Sequence, residues 1–137
     1  MVHELASYTD GFAQQLGLTL THADGDAVHG QIDVTAALHQ PYGIVHGGVY
    51  CAVVETVASV GAALWFKGRG QVVGLANSTH FIRAVRVGVL QVEATPLQRG
   101  RTQQLWQVFI TDEQSRLVSK GEVRLANITD PAALGRP

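Results

Sequence analysis

The sequence predicts an α+β fold in which a curved antiparallel sheet wraps around one long central helix. Three observations predict it. From Gly47 to Phe66 the chain is almost wholly apolar, with Glu55 its only charged residue, and at 1.5 Å per residue such a run makes a helix of roughly 30 Å. On both sides of it, short stretches alternate apolar and polar residues with the period of half-buried strands. The order is strands, one helix, then more strands, which differs from the strand–helix alternation that builds a parallel sheet.

In chain order, Ser7-Tyr8-Thr9-Asp10 supplies N-cap residue types ahead of Gly11–Leu16, a short helix that Gly17 ends. Leu18 to Ala23 alternates as a strand, Asp24-Gly25-Asp26 is a hairpin turn, and Val28 to Val34 alternates again. The segment from Ala36 to Val45, broken by Pro41 and Gly43, is a loop that delivers Gln40 and His46 to the start of the long helix. Gly68-Arg69-Gly70 stops that helix. Strands then run over Gln71 to Val85, Gly88 to Gln98 and Thr102 to Thr111, with a turn at Gly100-Arg101. Asp112 to Ser115 turns into a last strand, Leu117 to Asn127. In it Lys120, Glu122 and Arg124 share one face while Ser119, Gly121, Val123 and Leu125 share the other, the pattern of a sheet covered on one side. Thr129 onward, with Pro131 and Pro137, is a frayed tail. The chain is thus a single domain over its 137 residues.

Composition narrows the partners. Charged residues are 15% of the chain against 46% hydrophobic, so a lone subunit has too little polar surface, and an oligomer is expected. The net charge of −1 gives no reason to expect nucleic acid or a membrane surface. Residues 1–66 contain no Lys or Arg, whereas Lys67, Arg69, Arg83, Arg86, Arg99 and Arg101 follow within one stretch, opposed only by Glu93. These are either solvated strand ends or a patch that meets an anionic ligand such as a phosphorylated cofactor. The single Cys51 allows no internal disulfide and fits a reducing compartment, and the N-terminus lacks a secretory pattern, so the cytoplasm is expected. The apolar run approaches transmembrane length, but Glu55 near its middle and the strands after it argue against a span.

Chemistry points to the same stretch. Glu55 and Ser59 lie four apart on one helix face, with Cys51 a turn before. A carboxylate in apolar surroundings suits a general base or nucleophile, or else is a buried carboxylate held by Ser59 or a neighbouring Asn. His46-Gly47-Gly48 sits where loop becomes helix; the first turn has free N–H groups, and glycine lets another molecule's carbonyl approach them. That makes an oxyanion site or simply a turn. Cys51 has no His partner at helical spacing and is expected to be a packed thiol. The six histidines are scattered with no metal-ligand spacing, so no metal is expected.

Gln40, then His46-Gly47-Gly48, then Glu55 and Ser59, resembles the signature of the hotdog-fold acyl-CoA thioesterases. It is most similar to the group that includes the phenylacetate-pathway, 4-hydroxybenzoyl-CoA and 1,4-dihydroxy-2-naphthoyl-CoA enzymes. The likeness continues through Asn77-Ser-Thr-His-Phe-Ile-Arg83-Ala-Val-Arg86, the Gly100-Arg101-Thr102 turn and Gln104-Leu-Trp106-Gln, and covers roughly Leu16 to Ile128. It implies a hotdog fold and hydrolysis of an acyl-CoA thioester, with coenzyme A part of the substrate and no separate cofactor. It implies that the Gly47 N–H polarises the thioester carbonyl, that Gln40 and His46 assist there, that Glu55 is base or nucleophile, and that Ser59 positions water. Gly48, His80, Phe81, Arg83, Arg99, Gly100, Arg101 and Thr102 are the expected substrate contacts. Some members face the acyl group with a His where this chain has Phe81, one residue after His80. Strand neighbours face opposite ways, so a His80 that points elsewhere cannot take that role.

Gly47 and Glu55 are eight residues apart, about 12 Å along a helix. One thioester carbon needs both its attacking group and its oxyanion donors within about 3 Å, so a site shared between two subunits is expected, with Gly47 of one facing Glu55 of the other. A homodimer follows, and the resemblance implies dimers paired into a tetramer. The rival readings are a non-catalytic acyl-CoA binding or sensor domain, which needs the pocket but not Glu55, and a hotdog-fold dehydratase.

Overall fold

A computed structural model describes residues 2–135. Helix α1, Val2–Ser7, and a 3₁₀ helix, Gly11–Leu16, precede strands β1, Leu18–Ala23, and β2, Val28–Val34. The long helix α2 spans Gly47–Trp65, and β3 Gln71–Phe81, β4 Gly88–Arg99, β5 Gln103–Thr111 and β6 Leu117–Ile128 follow. The strands form one six-stranded sheet in the order β1-β2-β4-β5-β6-β3, antiparallel at every pairing. The α+β architecture expected from the sequence is the one observed, and α2 touches every strand of the sheet.

Alternation explains the seat of the helix. β5 buries Gln104, Trp106, Val108 and Ile110, and β6 buries Ser119, Gly121, Val123 and Leu125. Their inner faces meet Tyr50, Val53, Val54, Val57, Ala58, Val60, Gly61 and Ala62 of α2. Complete burial of one such valine contributes roughly 1.5–3 kcal/mol. Gly61 is where the contact is closest: a Cβ there would stand 2.5 Å from the Trp106 ring. Trp106 is wholly buried and donates its indole N–H to Gln104 Oε1 at 2.8 Å. Gln104 in turn donates to the Ala62 carbonyl and to Asn127 Oδ1, so this core network leaves no partner missing.

The sheet covers only one side of α2. Gly48, Glu55 and Ala63 are exposed and Cys51, Ala52, Thr56 and Ser59 half-buried, which leaves an open stripe along the helix where the sequence led us to expect a wrapped one. Gly47–Trp65 is also the one helix among the described residues long and apolar enough to cross a membrane, with a mean hydropathy of 1.5, and its apolar face is occupied by the sheet.

Three boundaries differ from expectation. The strand expected over Gln71 to Val85 ends at Phe81, because the Ile82 and Arg83 N–H groups both converge on the Val118 carbonyl, and beyond them the bonds turn toward the loop before α2: the Val45 N–H donates to the Val85 carbonyl and His39 Nε2 to that of Arg86. Helix α1 carries no start signal in the sequence. In the tail, Asp130 caps a 3₁₀ turn, Pro131–Leu134, where fraying was expected; the last two residues of that tail lie outside the described residues.

Candidate active site

The head of α2 is assembled by its own loop. His46 is the N-cap, in extended conformation, and its Nδ1 accepts the Gly48 N–H at 2.7 Å. That bond fixes the ring tautomer, with the proton on Nε2. Gly48 has to be glycine for it, since a Cβ would lie 2.9 Å from Nδ1. The Gly47 N–H has no hydrogen-bond partner among the described residues, as the first amide of a helix must unless something outside supplies one. Gln40 Oε1 accepts the Tyr42 N–H, which leaves its amide nitrogen free of any bond among the described residues. Arg86 donates to the carbonyls of Tyr42 and Gly43 and so braces this loop.

β3 runs back along α2 and brings its residues to successive turns of the helix. Phe81 lies over Gly47, where a Cβ would be 2.6 Å from its ring. Asn77 donates from Nδ2 to the Cys51 carbonyl at 2.9 Å, and Gly74 lies beside Glu55. Asn77, Thr79 and Phe81 therefore face the helix, and alternation turns His80 to the outer face. His80 was an expected substrate contact; the structure directs it away from Gly47 and gives the place to Phe81. Gln40, Gly47, Tyr50, Phe81 and Arg83 line one cavity of about 250 Å³ at the helix head.

Glu55 and Ser59 open into a different space. They line a groove of about 650 Å³ between α2, β3 and the N-terminal segment, together with Tyr8, Asp10, Ala13, Leu64, Lys67 and others. Neither side chain makes a hydrogen bond or ion pair among the described residues. The apolar enclosure expected around Glu55 is absent among the described residues: the carboxylate is exposed, because it stands on the stripe of α2 that the sheet does not reach. Cys51 is half-buried on the same stripe and free.

The basic residues divide. Arg99 donates to the Gly25 carbonyl at 2.6 Å and to the Asp26 carboxylate at 2.8 Å, and it lies over the Trp65 ring. It was expected at the substrate, yet its guanidinium is already committed to the β1–β2 turn. Arg101 and Thr102 are exposed on a turn that Asn127 holds through the carbonyls of Gly100 and Arg101. Arg83 is exposed beside the cavity at the helix head. No group of His, Cys, Asp and Glu suited to a metal ion occurs among the described residues.

Sequence reasoning missed Tyr8, Asp10 and Lys67 as neighbours of Glu55, and Tyr50 as a neighbour of Gly47. The spacing of Tyr50 three residues after Gly47 was a usable signal, since i and i+3 share a helix face. The position of residues 8–10 depends on a turn between two short helices and leaves no such trace.

A protein-family profile described as the thioesterase superfamily matches residues 42–119. Rv1847 of Mycobacterium tuberculosis is 46% identical over 120 residues, covering 85% of this chain and 86% of that one, and its solved structure superposes with a TM-score of 0.85 over 92% of this chain and 98% of its own. The crystal structure of AziG from S. sahachiroi is 47% identical with a TM-score of 0.85, covering 86% of this chain and 96% of that one. A 1,4-dihydroxy-2-naphthoyl-CoA hydrolase of Escherichia coli is 31% identical over 111 residues, 81% of this chain and 82% of that one.

Proposed function

The chain belongs to the thioesterase superfamily, and we propose that it hydrolyses an acyl-CoA thioester to the free acid and coenzyme A. The type is that of the phenylacetate-pathway and 4-hydroxybenzoyl-CoA enzymes, at work in the cytoplasm. The observation that carries the reading is the division of polar groups along α2. A free amide and a free side-chain donor stand at its head, and a free carboxylate with a hydroxyl stands two turns later on the open stripe.

The two halves meet across a two-fold axis. β3 is one of the two edge strands of the sheet, eleven residues long, and Leu75, Phe81 and Ile82 on or just past it are exposed. Such an edge invites pairing with a second copy, which would continue the sheet and lay the open stripes of two α2 helices together. Glu55 of the partner subunit then faces Gly47. The thioester carbonyl oxygen accepts the Gly47 N–H, with Gln40 beside it. Glu55 either deprotonates a water held by Ser59 or attacks the carbonyl carbon itself, and the resulting anhydride is then hydrolysed. In both routes the C–S bond breaks, the acyl carbon gains the oxygen of water, and the sulfur leaves as thiolate and takes a proton. The groove beside Glu55 receives the acyl group against Ala13, Val60 and Leu64, while Arg101 meets the phosphates of coenzyme A.

The test is a panel of aromatic and aliphatic acyl-CoAs with free thiol release as the readout. Turnover with at least one of them, lost in Glu55→Ala, is the expected result. Binding without thiol release would instead identify an acyl-CoA sensor, and a product formed by loss or gain of water across a carbon–carbon bond would identify a dehydratase.

A further inference from the structure

Tyr50 sits three residues into α2, on the same face as Gly47. Side chains of a helix lean toward its N-terminus, so the Tyr50 ring lies back over the turn that begins at Gly47. Its ring centroid is 6.2 Å from that of Phe81, the residue packed on Gly47. Tyr50 is 3% exposed, and its hydroxyl is the buried side-chain polar atom without a hydrogen-bond partner among the described residues. The contrast with Trp106 and Gln104, buried and fully partnered, is direct. A phenylalanine would fill the same volume without leaving a hydroxyl unsatisfied, which is a cost to the fold.

Tyr50 lines the cavity at the helix head. The cavity's polar side chains are Gln40, Tyr50 and Arg83. The one side-chain acceptor among Gln40 and Arg83, Gln40 Oε1, is taken by the Tyr42 N–H. What remains is a set of donors: the Gly47 N–H, the Gln40 amide, the Arg83 guanidinium and the Tyr50 hydroxyl. Burial pushes the tyrosine up to about 12, so the hydroxyl keeps its proton at any pH where the protein works. Donors in excess of acceptors along one cavity fit an oxygen that carries or gains negative charge.

We propose that Tyr50 is a catalytic residue, whose hydroxyl donates a second hydrogen bond, beside the Gly47 N–H, to the thioester carbonyl oxygen. This rests on the thioesterase reading above. When the carbonyl carbon is attacked, its π electrons move onto the oxygen, and both donors hold that charge. When the pair returns, the C–S bond breaks and the thiolate leaves. Tyr50 neither gives up nor gains a proton.

Tyr50→Phe separates this role from packing, because it removes one oxygen and keeps the ring. With an acyl-CoA that the unaltered protein hydrolyses, the variant should lose roughly 10- to 100-fold in kcat with KM within about twofold. Its melting temperature should be equal or higher, since the unsatisfied hydroxyl is gone. Activity and stability thus move in different directions, which no structural role of the hydroxyl produces. An unchanged kcat overturns the proposal, and so does a loss of kcat accompanied by a lower melting temperature or a parallel rise in KM. If the unaltered protein releases no thiol from any acyl-CoA, the thioesterase reading itself fails and this role falls with it; an active parent with an equally active Tyr50→Phe overturns Tyr50 alone.

Discussion

The head of α2 and its middle turns are built on opposite terms. At the head, His46 caps the helix, Gln40 is fixed through the Tyr42 N–H, and Arg86 braces the loop from behind. Its donors are aimed before any ligand arrives. Two turns later Glu55 and Ser59 are held by no bond among the described residues. A preorganised donor costs nothing to orient during reaction, whereas an exposed carboxylate needs something outside the chain to exclude water and face it toward its target. On the proposed reading, the difference teaches that this chain carries a finished half-site and an unfinished one.

The largest expected effect comes from the unfinished half. Glu55→Ala should lose on the order of 100-fold or more in kcat while still folding and binding product, and Glu55→Gln should be nearly as poor. Near-normal turnover in Glu55→Ala would take the carboxylate out of the mechanism and leave the comparison without chemical meaning.

Sharper still is a test of whether the halves belong to different subunits. Gln40→Ala and Glu55→Ala, each defective at every site as homodimers, are unfolded and refolded together. About half of randomly formed dimers are mixed. Each mixed dimer gathers both defects in one site and leaves the other intact, so activity should return to roughly a quarter of wild type. No gain over the two proteins refolded apart, with exchange confirmed by an affinity tag, sinks the shared site.

A smaller effect is expected at the coenzyme end. Arg101→Ala should raise KM several-fold with little change in kcat, and more so at low salt. Arg99→Ala should instead lower stability, because its partners are Gly25 and Asp26. Equal KM values for coenzyme A and pantetheine thioesters in the unaltered protein would remove Arg101 from phosphate binding.

The smallest effect concerns the support behind the helix head. The turn after β5 packs near residues 84–90, which hold the loop. Burial opposes ionisation of Asp112, yet the N–H groups of Arg116 and Gln114 and the Arg116 guanidinium outweigh it and hold the carboxyl below its ordinary 3.8. A lowered carboxyl stabilises fully above that ordinary value and ceases to do so as pH falls through the lowered one. Asp112→Asn should therefore melt a few degrees lower at pH 7, and the gap should close in acid. A gap independent of pH would deny the charge any part in it.

Much of this was legible because it is periodic. The strands follow an alternation of two, and Glu55 and Ser59 follow the helical four. The pair His46-Gly47 showed itself through the residue types a helix start requires. The end of β3 at Phe81 was not legible, since the composition after it gives no sign that the Ile82 and Arg83 N–H groups both turn onto the Val118 carbonyl and that the Val85 carbonyl goes to the loop. The ties of Arg99 were hidden for a related reason: charge in a sequence shows that a partner is needed, not that Asp26 on a distant hairpin will be it.

The sequence by itself determined the α+β class, the long helix, the turn positions and the polar residues along the open stripe. All of these depend on local spacing and residue type. Only the tertiary structure decided that Phe81 rather than His80 covers Gly47, that the Tyr50 hydroxyl is buried without a partner, and that Glu55 is left uncovered. Those facts depend on which side of α2 the sheet occupies and how β3 runs back along it. Burial and facing are properties of two surfaces that meet, and no single stretch of chain contains both.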